Sequence, residues 1–276
     1  MGATTLGSGC SVGGMGVEEL VGRRFGPRPL RISADAVADF VEVTGDDPGR
    51  WKTAAPPGFA AAALFAVAPE LLAHLADRFV VHGEQTFEWA RSLEVDSLVE
   101  VTGTLTRVRE RAGSLFLGFA LEASDAQGQV LGGTSLFVAP GSSPAPASEE
   151  RVEPRHDDRG SPKDGQVSAS RADLVRYAAA TRDWNPIHWD HQAAVAAWFP
   201  GVIVHGLLQT AWVLAAAARD TEGVRPLARA RIRFRSPLLP ATPATVTHDR
   251  EGSIVEAELA SAGETHLTAR IELSDE

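Results

Sequence analysis

The chain repeats itself. From Ser33, and again from Ser168 or Ser170, a serine suited to cap a helix precedes a short amphipathic run, ADAVADFVEV in the first half and RADLVRYAAA in the second. Each run passes into a Thr-x-Asp segment, Thr44-Gly45-Asp46-Asp47-Pro48 and Thr181-Arg182-Asp183-Trp184-Asn185-Pro186. Each then reaches a glycine before a long apolar stretch, Gly58 before FAAAALFAVAPELLAHLA and Gly206 before LLQTAWVLAAAA. Thereafter both halves alternate with period two. Phe87, Trp89 and Leu93 match Ile232, Phe234 and Leu238 at constant spacing, and Val101 matches Val246 at the same offset. SLFLGFALEAS and QVLGGTSLFVA, then SIVEAELAS and THLTARIEL, supply the remaining strands, with Gly-containing turns between them. The pattern predicts an α+β architecture built twice, in which each antiparallel sheet wraps its own apolar helix.

Two segments break the pattern. Residues 1–16 are rich in glycine and are predicted to be unordered, and residues 139–166 have the Pro/Ser/charge makeup of a linker. They leave residues 17–138 and 167–276 as the two repeats, each of ordinary domain size. The lone cysteine, Cys10, excludes an intrachain disulfide and a cysteine-built zinc cage, so a reducing, cytoplasmic setting is expected. The longest uncharged run, Thr53 to Pro69, is broken by Pro56, Pro57 and Gly58 and falls short of the roughly 20 apolar residues a bilayer requires. No membrane span is therefore expected, and the first sixteen residues do not read as a secretory signal. A net charge of −10 disfavours duplex nucleic acid, whose affinity needs surplus Lys and Arg, so small molecules are the expected partners. Arginine outnumbers lysine 24 to 2 and alanine abounds, which reads as coding bias and removes the weight of alanine alone.

The chemistry concentrates in the second half, in Asp183-Trp184-Asn185-Pro186-Ile187-His188 and in His205-Gly206 before the long helix. This pattern resembles the signature of the MaoC-like (R)-specific enoyl-CoA hydratases and 3-hydroxyacyl thioester dehydratases. The whole chain is similar to their double hot-dog form, in which a degenerate N-terminal repeat and a catalytic C-terminal one make a pseudo-dimer. The resemblance implies reversible hydration of trans-2-enoyl thioesters, carried by coenzyme A or an acyl carrier protein, to (R)-3-hydroxyacyl thioesters. It implies Asp183 and His188 as the catalytic pair on one water, with His205, Gly206 and Asn185 binding substrate or fixing the loop. Such chemistry needs a base for the water proton and a donor for the charge growing on the thioester oxygen. Gly206, opening a helix, offers an unpaired N–H for that oxygen. Pro186 restricts Asn185 to extended backbone, so the stretch between the pair is expected to be non-helical and bent. Neither metal nor organic cofactor is required.

The first half keeps Gly45-Asp46 and Pro48 but has Gly49-Arg50-Trp51 where the histidine-bearing stretch belongs, so it lacks the pair. By resemblance it accommodates the acyl group, with the small-residue helix from Gly58 to Ala68 making room; on that reading Ala62→Leu or Ala63→Leu would shorten the acyl range. Close packing of Ala60 to Ala63 on the sheet is the competing explanation. Arg182 stands where the family commonly has glycine. Arg229, Arg231, Arg233 and Arg235 share one strand face and are either phosphate or carrier-protein contacts or an ion-paired surface. His188 and His191 have a possible metal spacing but no further ligand set, and His82 carries no pattern. Two other functions stay open: a hot-dog acyl thioesterase, and a noncatalytic acyl-thioester-binding subunit. Because the fused repeats already supply the pairing of single hot-dogs, a monomer or a homodimer of such chains is expected.

Overall fold

The computed structural model describes residues 16–75, 78–141 and 165–275. The predicted unordered start, up to residue 15, and the central part of the predicted linker, residues 142–164, lie outside these. The linker is shorter at both ends than the sequence suggests, because Ala139 completes one strand and Gln166 begins another.

The first half runs β1 (Arg24–Arg31), α1 (Ala34–Thr44), α2 (Ala60–Leu72), β2 (Val81–Trp89), β3 (Leu98–Arg111), β4 (Ser114–Asp125) and β5 (Gly128–Ala139). The second runs β6 (Gln166–Val167), α3 (Arg171–Thr181), α4 (His191–Ala196), α5 (Gly206–Ala218), β7 (Leu227–Phe234), β8 (Ala244–Glu251), β9 (Ile254–Ser261) and β10 (Glu264–Leu273). The predicted caps form: the Ser33 hydroxyl accepts from the Ala36 N–H at 3.3 Å, and Ser170 forms a reciprocal capping box with Asp173.

The strands do not make two sheets. They form a single antiparallel sheet of ten, in the order β1-β3-β4-β5-β2-β7-β10-β9-β8-β6, so the second half mirrors the first. The junction is the pairing of β2 with β7, in which Thr86 lies opposite Arg231. Those two residues are also counterparts at the spacing that relates Phe87 to Ile232, which puts the pseudo-twofold axis between them. Left alone, each half would end in an unpaired edge strand of exposed N–H and C=O groups, and joining the edges removes both.

The two long helices meet the sheet differently. Gly206 is the first residue of α5, whereas Gly58 sits in a 3-10 turn, Pro57–Phe59, ahead of α2. Gly58 is needed for closeness: a Cβ there would lie 2.8 Å from the Ala211 Cβ of α5. Together the turn, α2 and the 3-10 turn after it make a run, Pro57–Leu75, long and apolar enough to cross a membrane by length and composition. Its position argues for a core helix, since Ala60 to Leu64 are sealed from solvent inside the hydrophobic core.

The degenerate loop of the first half has become a strut. Arg50 lies over the Trp51 ring, with its guanidinium 4.7 Å from the ring centroid, and donates to the Ala218 carbonyl at 2.7 Å and the Gly223 carbonyl at 3.0 Å. Ala218 ends α5, so a cation caps the negative end of the helix that begins at Gly206. Arg50→Ala is expected to destabilise the fold by about 1–2 kcal/mol, read by urea unfolding; an unaltered midpoint would show that the contact carries no stability.

Candidate active site

Helix α3 ends in a left-handed residue, Arg182 at φ +66°, which swings the chain away from the helix axis at Asp183. The Asn185 side chain then caps a 3-10 turn, Pro186–His188, by accepting from the Ile187 N–H at 3.4 Å. The expectation of a wholly non-helical stretch is corrected here. Proline does hold Asn185 extended, but its fixed φ also suits the first position of a turn. The turn carries His188 back toward Asp183, and both are buried, at 7% and 5% exposed.

His188 Nδ1 sits 2.8 Å from the Ile203 carbonyl. A carbonyl only accepts, so Nδ1 carries the proton and Nε2 is left with its lone pair. The Asp183 carboxylate accepts from the Asn185 N–H at 3.4 Å and has no cationic partner among the described residues. Burial therefore dominates and pushes this carboxyl up to about 7, opposed only by the Asn185 N–H. Burial holds the His188 imidazole down at about 4, so the ring is neutral at ordinary pH.

His205 completes the cluster from beneath. It is sealed from solvent, its ring stacks on His188 at 3.8 Å and 24°, and its Nε2 lies 3.2 Å from the Asp183 carbonyl. Burial first, and the neighbouring His188 second, hold it well below the usual histidine range. Tyr177 packs on its other side with ring centroids 4.9 Å apart. Ligand atoms of Asp183, His188 and His205 lie within 4.8 Å of one another, close enough to suggest a metal triad. The ring stacking points away from one, because a single ion cannot lie in the planes of two nearly parallel imidazoles at bonding distance.

Asp183 and His188 border a cavity of about 820 Å³ lined by both halves. Asp183, Asn185, His188 and Gly206 all face it. His205, expected to bind substrate, does not: it forms the layer behind the pair, and this corrects its role. Gly206 contributes an N–H of the kind a helix start leaves without an intrahelical partner. It also must be glycine, since a Cβ would stand 2.8 Å from the Phe234 ring.

The alanines at the start of α2 do not line the cavity. Ala60 to Ala63 are at most 1% exposed and pack in the core, so the expectation for Ala62 and Ala63 is overturned and close packing is their role. The later turns of α2, through Phe65, Pro69 and Leu72, line the cavity instead. The arginine row divides similarly. Arg231 and Arg233 bind Glu84 at 2.9 and 3.0 Å, and Arg229 lies 3.3 Å from Glu88, so these three form an ion-paired sheet face. Only Arg235 of the four borders the cavity.

Sequence reasoning missed His82, which β2 carries to the cavity between the rings of Phe137 and Phe234, 5.0 and 4.9 Å away. It also missed Gln209, which lies one turn along α5 from Gly206, and the aromatic pair Phe79 and Phe199. For Gln209 a signal existed, as a lone amide in an otherwise apolar helix. For the others there was none, because only the junction of the two halves brings them to the site.

Residues 153–269 match the profile of the MaoC like domain. A 103-residue segment is 39% identical to 3-hydroxyacyl-thioester dehydratase X of Mycobacterium tuberculosis, spanning 36% of this chain and 35% of that protein. The crystal structure of HtdX from the same organism superimposes with a TM-score of 0.71 at 24% identity, covering 91% of this chain and all of the other. A second protein of that organism, named for its double hot-dog fold, matches with a TM-score of 0.60 at 16% identity, covering 96% and 99% of the two chains. The chain has the double hot-dog fold, and its second half carries the match to the MaoC like domain.

Proposed function

We propose that this protein hydrates trans-2-enoyl thioesters to (R)-3-hydroxyacyl thioesters, or runs the same step in reverse, with Asp183 and His188 as the acid–base pair. The observation that carries the reading is a buried carboxyl poised near neutrality beside a neutral imidazole, on one cavity wall with a helix N-terminus. A water between the two would donate one hydrogen to the His188 Nε2 and the other to the Asp183 carboxylate. As its oxygen bonds to the substrate β-carbon, the carboxylate takes the proton and the C=C pair moves toward the thioester carbonyl. The Gly206 N–H and the dipole of α5 stabilise the oxygen on which charge then accumulates, an effect typically worth about 3 kcal/mol. The pair returns a proton to the α-carbon, so the net change is one water across the double bond. Neither residue needs a partner of opposite charge, because a carboxyl near 7 both accepts and releases a proton at cellular pH.

The apolar wall from Phe65, Pro69, Leu72 and Phe79 to Phe199 supports a hydrophobic acyl group reaching into the first half, and the polar end at Asp183 supports the thioester at the second. A hydrolytic use of the same water on the carbonyl carbon would release free thiol.

Four measurements test the reading. Enoyl-thioester absorbance should fall on adding enzyme with no thiol released, and Asp183→Asn should cut the rate at least 10²-fold; thiol release would identify a thioesterase instead. For hydration, kcat/KM should rise through about pH 7 as Asp183 ionises, with no limb near 6.5 from His188, which is already neutral there. The same ionisation affects stability with a definite sign. The folded carboxyl, at about 7, binds its proton more tightly than an unfolded one at the ordinary value of 3.8, so stability falls as pH rises between these values. Asp183→Asn should therefore melt above the wild type at pH 8 and lose that advantage by pH 4, and equal melting at pH 8 would contradict a destabilising buried charge. Finally, Leu72→Trp should reduce kcat/KM on long-chain enoyl thioesters at least about tenfold more than on four-carbon ones; equal losses would place the acyl chain elsewhere.

A further inference from the structure

Among the described residues a few buried polar atoms lack a hydrogen-bond partner, and two of them belong to side chains that line the cavity, His82 Nε2 and Gln209 Oε1. A buried donor or acceptor left unpaired costs stability, so each such atom calls for a reason to be there. The Gln209 amide donates to the Val204 carbonyl at 3.3 Å and stands one turn along α5 from Gly206, at the thioester end of the site. His82 reaches the cavity from the first half, on β2, and no step of the proposed chemistry uses it.

The surroundings of His82 suit a hydrocarbon. Its ring lies between those of Phe137 and Phe234, 5.0 and 4.9 Å away, a place a phenyl ring would fill without an unpaired nitrogen. The other repeat has apolar residues at the matching positions. The spacing that relates Phe87 to Ile232 carries His82 to Leu227, which is 1% exposed. The spacing that relates Gly58 to Gly206 likewise carries Gln209 to Ala61, sealed in the core. At both positions the polar residue stands only where it lines the cavity of the acid–base pair. Burial, the largest influence, outweighs hydrogen bonds to the Gln85 side chain and the Glu84 backbone and holds the His82 imidazole down at about 4, so the ring is neutral at ordinary pH. A neutral ring suits an uncharged partner. Phe234 is also the ring that a Cβ on Gly206 would meet, at 2.8 Å, so a single aromatic ring separates His82 from the helix start proposed to receive the thioester oxygen.

Resting on the thioester reading above, we infer that this protein takes acyl groups that carry a hydroxyl on the chain beyond the reacting double bond, and that His82 is the specificity-determining residue that reads it. A hydroxyl both donates and accepts, so it pairs with Nε2 whichever ring nitrogen holds the proton. A site built to hydrogen-bond a substrate hydroxyl discriminates against the chain that lacks it, because the buried nitrogen is then left unpaired. The side chains of Phe65, Pro69, Leu72, Phe79 and Phe199 on the rest of the wall supply apolar contact and no competing donor or acceptor. The expected substrate is therefore mostly hydrocarbon with one oxygen function a few bonds from the thioester, rather than a plain alkyl chain.

Calorimetric titration of the full chain with saturated decanoyl-coenzyme A esters, unsubstituted or with one hydroxyl at each carbon from the fifth to the eighth, tests this without requiring turnover. Wild-type protein should bind one positional isomer at least about tenfold more tightly than the unsubstituted ester. His82→Phe, which keeps a ring between Phe137 and Phe234, and His82→Leu, which copies the matching residue of the second half, should each bring the two esters level. His82→Phe should also melt no lower than wild type, since it removes an unpaired buried nitrogen. The inference is overturned if wild-type protein favours no hydroxylated isomer, or if the preference survives both substitutions. It is equally overturned if both variants weaken the binding of coenzyme A itself as much as that of its esters, which would put His82 on the carrier arm, or if His82→Phe melts well below wild type, which would make the histidine a packing residue. A His82-dependent preference without hydration of any enoyl ester would sink the proposed reaction and leave this subsite standing; hydration of plain enoyl chains with no such preference would do the reverse.

Discussion

The pairing of β2 with β7 is the constraint on which the rest depends. Each half has a helix, a curved sheet and one strand edge that would otherwise be open, and joining the edges yields one sheet with a pseudo-twofold axis at Thr86 and Arg231. That junction gives the second half a cavity wall it does not encode. His82 and Gly83 of β2, Phe137 of β5 and the later turns of α2 face Asp183 and His188 only because β2 and β7 lie side by side. A fused pair of repeats therefore builds one complete site from one working loop and one supporting wall.

Within that site the dominant physical effect is desolvation. A carboxyl and two imidazoles are buried together with few hydrogen bonds and no cationic partner among the described residues, so the acid moves up until it is half-ionised around pH 7 and the imidazoles move down and are neutral there. A carboxyl at this point is consistent with reversible proton transfer, since near neutrality it takes and gives up a proton with similar ease. It also makes the site a local weakness in the fold, because ionising Asp183 in place is compensated only by the Asn185 N–H among the described residues.

The two halves diverged at matching positions. Gly45 corresponds to Arg182, the Arg50-Trp51 segment occupies the place of the histidine-bearing turn, and Gly58 corresponds to Gly206. In the first half these positions serve packing: Arg50 caps α5, Trp51 is buried, and Gly58 lets the turn approach Ala211. In the second half they face the cavity. The loop of the first half, which has no counterpart of His188, braces the end of the helix that starts at Gly206.

The sequence by itself determined the elements and the polar groups. Serine caps, period-two alternation and the duplicate spacing are local properties, and they located α1, α3 and the strands and even the offset on which the symmetry axis falls. Asp183, Asn185, His188 and Gly206 were legible because they lie close along the chain around a proline and a helix start. Tertiary structure alone decided what required two distant segments: that the sheets are one, that His205 stands behind the pair, that Ala60 to Ala63 are core while Phe65, Pro69 and Leu72 line the cavity, and that three of four arginines in a row are already paired. The physical reason is that burial and ion pairing depend on which surface covers a residue, and that surface comes from the other half of the chain.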